Sequence, residues 1–162
     1  RETKKGKYDL LLVGSSRSVF SDDVVGGKVK TFLEETRGHV GVLVDKDFEV
    51  ADRILVFLQD SSDLFLLSFA ERFVKNNNAR ITVVDPKLFV KNDSAFKAAV
   101  DRLSPEDSSA ISFHESIDLP ADMLVGCNLI MISYNAWGDS DESHQLLLAQ
   151  SASLLILKAP HA

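Results

Sequence analysis

An α/β domain, three layers deep with a mainly parallel sheet at its centre, is the fold this sequence predicts, and three observations lead to it. Short apolar runs rich in Leu, Ile and Val recur along the chain, as strands buried on both faces require. Segments of helical periodicity separate these runs. A weak internal repeat, in the order strand, polar loop, helix, strand, stands near each end of the chain.

The first element is Asp9-Leu-Leu-Leu-Val-Gly14, an apolar run expected to form a strand over residues 8–13. A loop of Ser, Arg and Asp follows. After Gly26 and Gly27, Val29, Phe32 and Leu33 recur at helical spacing with Glu34, Glu35 and Arg37 opposite, until Gly38 stops the helix. Val40-Gly-Val-Leu-Val44 is the next strand. A second series begins with Arg53-Ile-Leu-Val-Phe-Leu58, then Gln59-Asp-Ser-Ser-Asp63, a turn rich in helix-capping side chains. Residues 64–74 read as a mostly apolar helix, broken by Asn76-Asn-Asn78. Arg80-Ile-Thr-Val-Val84 is a β-branched strand closed by Asp85-Pro86, which completes a βαβ unit with a right-handed crossover.

Residues 93–103 carry Phe96, Ala99, Val100 and Leu103 on one helical face, and residues 110–114 form a short, weaker strand. A brief helix is expected over 120–125, a strand over 129–133, a polar loop over 135–143, a helix over 144–152 and a last strand over 154–158. In the repeat, Asp9-Leu-Leu-Leu-Val-Gly14 and Val40-Gly-Val-Leu-Val44 match Asn128-Leu-Ile-Met-Ile-Ser133 and Leu154-Leu-Ile-Leu-Lys158. Residues 8–45 therefore read as the closing strand-loop-helix-strand part of one unit, and residues 52–160 as a nearly complete second unit, within a single domain over 1–162.

Composition bounds the function. The 162 residues, 45% of them apolar and ten of them Phe, suffice for one core, and no run reaches the roughly 20 residues that span a bilayer. A net charge of −6, from 18 Lys and Arg against 24 Asp and Glu, opposes nucleic acid as a partner over any broad surface. The opening Arg1-Glu-Thr-Lys-Lys-Gly-Lys7 lacks a signal-peptide pattern and does not begin with Met, so the chain is read as an excised fragment. A single cysteine, Cys127, permits no internal disulfide and fits a reducing compartment.

This arrangement resembles the universal stress protein fold, of the adenine nucleotide alpha hydrolase-like kind, in which a five-stranded parallel sheet ends in a strand-loop-helix-strand unit whose loop can hold the phosphates of ATP. The stretches Ala51-Asp-Arg-Ile-Leu-Val56, Leu66-Leu-Ser-Phe-Ala-Glu-Arg72, Arg80-Ile-Thr-Val-Val84 and Tyr8-Asp-Leu-Leu-Leu-Val-Gly-Ser-Ser-Arg-Ser18 look most like the cytosolic carboxy-terminal domains of bacterial cation/proton antiporters. That resemblance implies a regulatory domain on the cytoplasmic side of the inner membrane. Its partner would be the membrane transport domain of the same polypeptide.

Nucleotide-binding stress proteins carry Gly, two residues, Gly, nine residues, then Gly and a hydroxyl residue, because backbone amides must approach phosphate closely. Here Gly14 and Gly27 stand at the first and last glycine positions, while Arg17 replaces the middle glycine and Lys28 the hydroxyl residue. With Ser15 and Ser16 they form a degenerate nucleotide or anion loop to which Arg17 and Lys28 lend positive charge. The corresponding loop of the second unit, Tyr134-Asn-Ala-Trp-Gly-Asp-Ser-Asp-Glu-Ser143, keeps one glycine and adds three carboxylates, which should repel ATP. The family's nucleoside-contacting acid is matched by Gln59 or, one residue on, by Asp60.

Other constellations are weaker. Asp139, Asp141 and Glu142 lack the spacing of a calcium loop, and His39, His114, His144 and His161 are scattered, so no metal is expected. His39 and His144 do lie near the ends of corresponding helices, where protonation near neutral pH would be sensed. Trp137 is expected to pack over the end of the sheet. No serine sits in a Gly-x-Ser-x-Gly setting and no enzyme is expected. The expected function is regulation of a monovalent cation/proton antiporter, sodium foremost; the alternative is a free-standing stress-protein relative that binds adenine nucleotide. A homodimer is also expected, because the outer strands 40–44 and 154–158 are apolar and such edges pair, within the chain or between chains.

Overall fold

The computed structural model describes residues 11–15, 40–44, 52–77, 79–103 and 111–159. Seven strands among them form one sheet: β1 (Leu11–Ser15), β2 (Val40–Val44), β3 (Arg53–Phe57), β4 (Arg80–Val84), β5 (Ile111–His114), β6 (Leu129–Ser133) and β7 (Ser153–Lys158). Their order across the sheet is β1-β2-β7-β6-β3-β4-β5. Every neighbouring pair is parallel except β2 with β7. The α/β architecture read from the sequence is the one observed.

Six helices accompany the strands among the described residues: α1 (Phe65–Asn77), α2 (Phe89–Asn92), α3 (Ser94–Leu103), α4 (Ala121–Gly126), α5 (Tyr134–Asp139) and α6 (Glu142–Ser151). They sort by face. Leu66, Leu67 and Ala70 of α1 and Phe96 of α3 pack with Ile54, Ile81 and Met131 on one side of the sheet. Leu124 of α4, Trp137 of α5 and Leu148 of α6 pack with Phe57, Ile132 and Ile156 on the other. Because both faces are covered, all six residues of β7 are buried, whereas Ser112 and Phe113 of the edge strand β5 stay exposed. Each fully buried Leu, Ile or Phe contributes about 1.5–3 kcal/mol.

The two apolar strands expected to seek partners find each other inside the chain. Val40 faces Lys158, Val42 faces Ile156 and Val44 faces Leu154 in an antiparallel ladder. Both edges of β2 and of β7 are thereby paired, so the edge argument for a homodimer does not apply to these two strands. The pairing also repeats in register. Leu11 faces Val40 and Gly14 faces Leu43, as Ile130 faces Leu154 and Ser133 faces Leu157. Exchanging residues 40–44 with 154–158 carries the antiparallel junction onto itself, with the Val42 and Ile156 pair at its centre.

The structure departs from the expected elements in two places that bear on function. The region read as a polar loop over 135–143 holds α5, a short helix that starts directly at the end of β6. The Ser133 hydroxyl accepts a hydrogen bond from the Ala136 amide at 3.1 Å and caps it. The turn after β4 holds α2, entered through Leu88 with φ of 61°. There Asp85 accepts hydrogen bonds from the Phe89 and Val90 amides at 2.9 Å each, which supports a left-handed residue with a bulky side chain. At the amino ends of the central strands, the Asn128 amide donates to the Arg53 carbonyl at 2.9 Å, while the Asn128 side chain accepts from the Arg53 amide at 3.1 Å and donates to Asp52. This clamps the start of β3 to the start of β6.

Candidate functional site

The chain leaving β3 crosses to β4 on one side, and the chain leaving β6 crosses to β7 on the other. Connections that diverge in this way leave a crevice outside the carboxyl ends of the two strands, the usual place for a ligand in an open α/β sheet. Its walls are the turn from Gln59 to Leu64 and the segment beginning at Ser133.

Asp60 caps the 3-10 turn Ser61–Leu64 that leads into α1. Its exposed carboxylate accepts from the Ser62 amide at 3.0 Å, and these local hydrogen bonds hold its pKa below the ordinary 3.8. Asp63 closes the reciprocal half of this capping box, with Oδ2 accepting from the Gln59 amide at 2.8 Å and the Asp60 amide at 3.1 Å. Capping residues at this position are ordinarily solvated; Asp63 is 0% exposed. Burial pushes its pKa above 3.8, against the lowering influence of the two amides and of the Ser133 hydroxyl beside it. That hydroxyl does not close a hydrogen bond onto Oδ1, which is buried and has no partner.

The opposite wall is occupied by the protein itself. Ala136 and Trp137 are each 3% exposed and belong to the core. The Trp137 carbonyl accepts from the Gln145 side chain at 2.6 Å and from the Ser140 amide at 3.2 Å. Asp141 caps α6 by accepting from the His144 amide at 2.7 Å. The amides of residues 136 and 144 are thus already satisfied, and Asp139, Asp141 and Glu142 stand exposed around them. A phosphate would meet no free amide at either position and three carboxylates instead. The His144 ring sits edge-on to Phe57 at 6.3 Å, and its Nε2 is the other buried side-chain atom without a partner among the described residues.

Of the loop residues singled out in the sequence, Gly14 and Ser15 are the last two residues of β1, paired with Leu43 and Val44. Since β2 runs antiparallel to β7, the end of β1 lies at the opposite edge of the sheet from Ser133. The two strand ends cannot contribute to one site. Ser16, Arg17, Gly27 and Lys28, with His39 and His161, lie outside the described residues. Gln59 offers its backbone amide to Asp63. His114 Nε2 contacts the Asp118 carbonyl oxygen at 2.6 Å. Cys127 is buried, its thiol pushed up to about 11 by desolvation. Among the described residues no three His, Cys, Asp or Glu gather as metal ligands, and no helix is long and apolar enough to cross a membrane.

A groove of about 400 Å³ lies two strands away, at the β5 edge, between α2, α3 and Phe113. Its charges offset one another: Lys91 pairs with Glu115 at 2.8 Å, and Lys97 lines the groove together with Asp101. Sequence reasoning missed Asp63. Asp60-Ser-Ser-Asp63 signals a capping box, but nothing in the spacing signals that the second acid is buried.

No family model matches the chain, and no curated protein does. Solved structures do. A universal stress protein from Archaeoglobus fulgidus superposes with a TM-score of 0.55 at 13% identity, over 98% of this chain and 63% of that one. A functionally unknown protein from Pseudomonas aeruginosa PAO1 gives a TM-score of 0.50 at 14% identity, over 98% of this chain and 66% of the other. The fold is therefore that of the universal stress proteins, and the chain spans slightly less than two thirds of each of these two proteins.

Proposed function

We propose that the chain is a non-catalytic regulatory domain of the stress-protein type, in which the nearly complete unit over residues 52–160 has given up nucleotide binding. The observation that carries this is α5. Where the family's phosphate loop would open, Trp137 is packed into the core and Ser133 and Asp141 take up the amides of residues 136 and 144. The matched register of the β1/β2 and β6/β7 pairs supports reading residues 8–45 as the end of a preceding unit.

The domain is the cytosolic part of a monovalent cation/proton antiporter, with the transport domain of the same polypeptide as its partner; the sequence resemblance of residues 51–84 supports this assignment. It regulates by binding a signal more tightly in one conformation of the transporter than in another, since equal binding shifts nothing. The gene tests the assignment: transmembrane helices encoded upstream in the same frame support it, and an initiation codon beside Arg1 contradicts it. A second reading, a free-standing relative that holds adenine nucleotide at Gly14, Ser15, Ser16, Arg17, Gly27 and Lys28, is favoured by one observation. Gly14 and Ser15 end a parallel strand at the edge that Trp137 does not reach.

Calorimetry with ATP, ADP, AMP and cyclic dinucleotides separates the two. The regulatory reading expects no specific binding; saturable binding that disappears in Arg17→Ala would replace it with the nucleotide-sensor reading.

A further inference from the structure

At β5 the described part of the sheet ends without a further strand. The Asp85 amide donates to the His114 carbonyl at 2.8 Å, so the backbone groups of Ser112 and His114 point inward to β4. Successive residues of a strand alternate, and the amide and carbonyl of Phe113 therefore point outward. Such an edge templates another strand unless charge or proline blunts it, and Ile111-Ser-Phe-His114 contains no Lys, Arg, Asp, Glu or Pro. So short a ladder holds two chains together only if side chains beside it contribute. Ser112 turns to the face of Thr82, whose hydroxyl lies 3.0 Å from its own. Ile111 and Phe113 turn to the other face and line the groove of about 400 Å³ with Val90 and Val100. Phe113 is 47% exposed, and Ile117, shortly after it in the chain, is 58% exposed. The groove also carries Lys97 and Asp101, one turn apart on α3. Neither is in an ion pair among the described residues, whereas Lys91 is held by Glu115. A surface with one charge of each sign complements neither an anion nor a cation; it complements a copy of itself.

We propose that two copies of the chain join at their β5 edges as an isologous antiparallel pair, which makes one continuous sheet. A two-fold axis perpendicular to the sheet sets Phe113 opposite Phe113 of the second copy, and the two residues exchange amide and carbonyl hydrogen bonds. Their rings then form a cross-strand aromatic pair on the groove face. The same axis keeps α3 of both copies on one face, running antiparallel, with Lys97 of each copy toward Asp101 of the other. The chain already joins its sheet in this manner once, since β2 meets β7 antiparallel with Val42 opposite Ile156. The local balance of charge matters too: each copy carries a net −6 and would repel the other across an acidic surface, which this edge is not. The contact stands apart from the regulatory reading.

The test is sedimentation of the whole chain over a dilution series reaching millimolar protein, with two exposed charge reversals, Lys97→Glu and Asp101→Lys. The wild type should pass from monomer to dimer as its concentration rises. Each variant alone should self-associate about tenfold more weakly, because the two-fold repeats every like-charge contact. Mixed in equal amounts, the two variants should form a heterodimer of nearly wild-type strength, which a mere folding defect in either one would not restore. Hydrogen exchange at the Phe113 amide should slow as the dimer forms. A wild-type chain that stays monomeric at millimolar concentration overturns the proposal and leaves the edge to a different chain. So does a dimer that neither reversal weakens, or one in which the Phe113 amide exchanges as it does in the monomer, since the contact would then lie on another surface. None of these outcomes bears on whether the domain belongs to a transporter.

Discussion

Asp63 and Asp85 follow neighbouring parallel strands, are 0% and 2% exposed, and each accepts two backbone amides at the start of a helical turn. They differ in how the bonds are distributed. Asp85 gives one oxygen to Phe89 and the other to Val90, so its whole carboxylate is used. Asp63 gives Oδ2 to both donors and has Oδ1 to spare. The same residue type, in nearly the same burial, is a finished cap in one place and an unfinished one in the other. A structural cap has no reason to leave an oxygen over, and this marks the end of β3 rather than the end of β4 as the place to look for function.

Substitutions can break that contrast. The largest loss should come from the opposite wall: Trp137→Ala removes a core aromatic and should cost about 3–5 kcal/mol by chemical denaturation. If it cost less than about 1 kcal/mol, α5 would not be a packed closure of the crevice. Asp85→Asn should come next, at about 1–3 kcal/mol, because one of its two positions would become an amide donor facing the Phe89 or Val90 amide. The same change at Asp63 should have the opposite sign. The side-chain amide introduced by Asp63→Asn keeps an acceptor for Gln59 and Asp60 and places a donor where Oδ1 stood, so stability near neutral pH should be unchanged or higher. A thermal scan resolves this, since about 1 kcal/mol moves the melting temperature by about 2–4 °C in a domain of this size.

The smallest effect is the pH dependence of that difference. Because the folded Asp63 pKa is raised, the folded state holds its proton to higher pH than the unfolded chain. Wild-type stability from this group is therefore complete below 3.8 and falls as pH rises through the folded value. The advantage of Asp63→Asn should be absent in acid and grow across that window. An advantage independent of pH would show that Asp63 is an ordinary cap.

Much of this architecture is legible in the chain because its cause is local. β3, β4, β6 and β7 are apolar runs since both faces of the sheet are covered, and α3 shows its buried Phe96, Ala99, Val100 and Leu103 at helical spacing. The strands of the expected repeat are legible in the sequence, and β1 pairs with β2 in the same register in which β6 pairs with β7. What escapes the sequence depends on tertiary partners. The α5 helix consists of Tyr-Asn-Ala-Trp-Gly-Asp, which reads as loop until Trp137 is seen packed into the core beside Phe57 and Ile132. The entry to α2 turns on a positive φ at Leu88 that no propensity predicts. Asp63 looks like a solvated cap until Ser133, from far along the chain, is brought beside it. The antiparallel union of β2 and β7 was only one of two ways to satisfy apolar strand edges.

Closure of the crevice between β3 and β6 to nucleotide, as proposed, is tested residue by residue by an amide spectrum of the labelled protein titrated with magnesium ATP. Residues 59–63 and 133–141 should not respond, whatever happens at the end of β1. Saturable shifts clustered on those two segments would contradict it, because they would place a nucleotide where Trp137 and the Ser133 cap are said to leave no room.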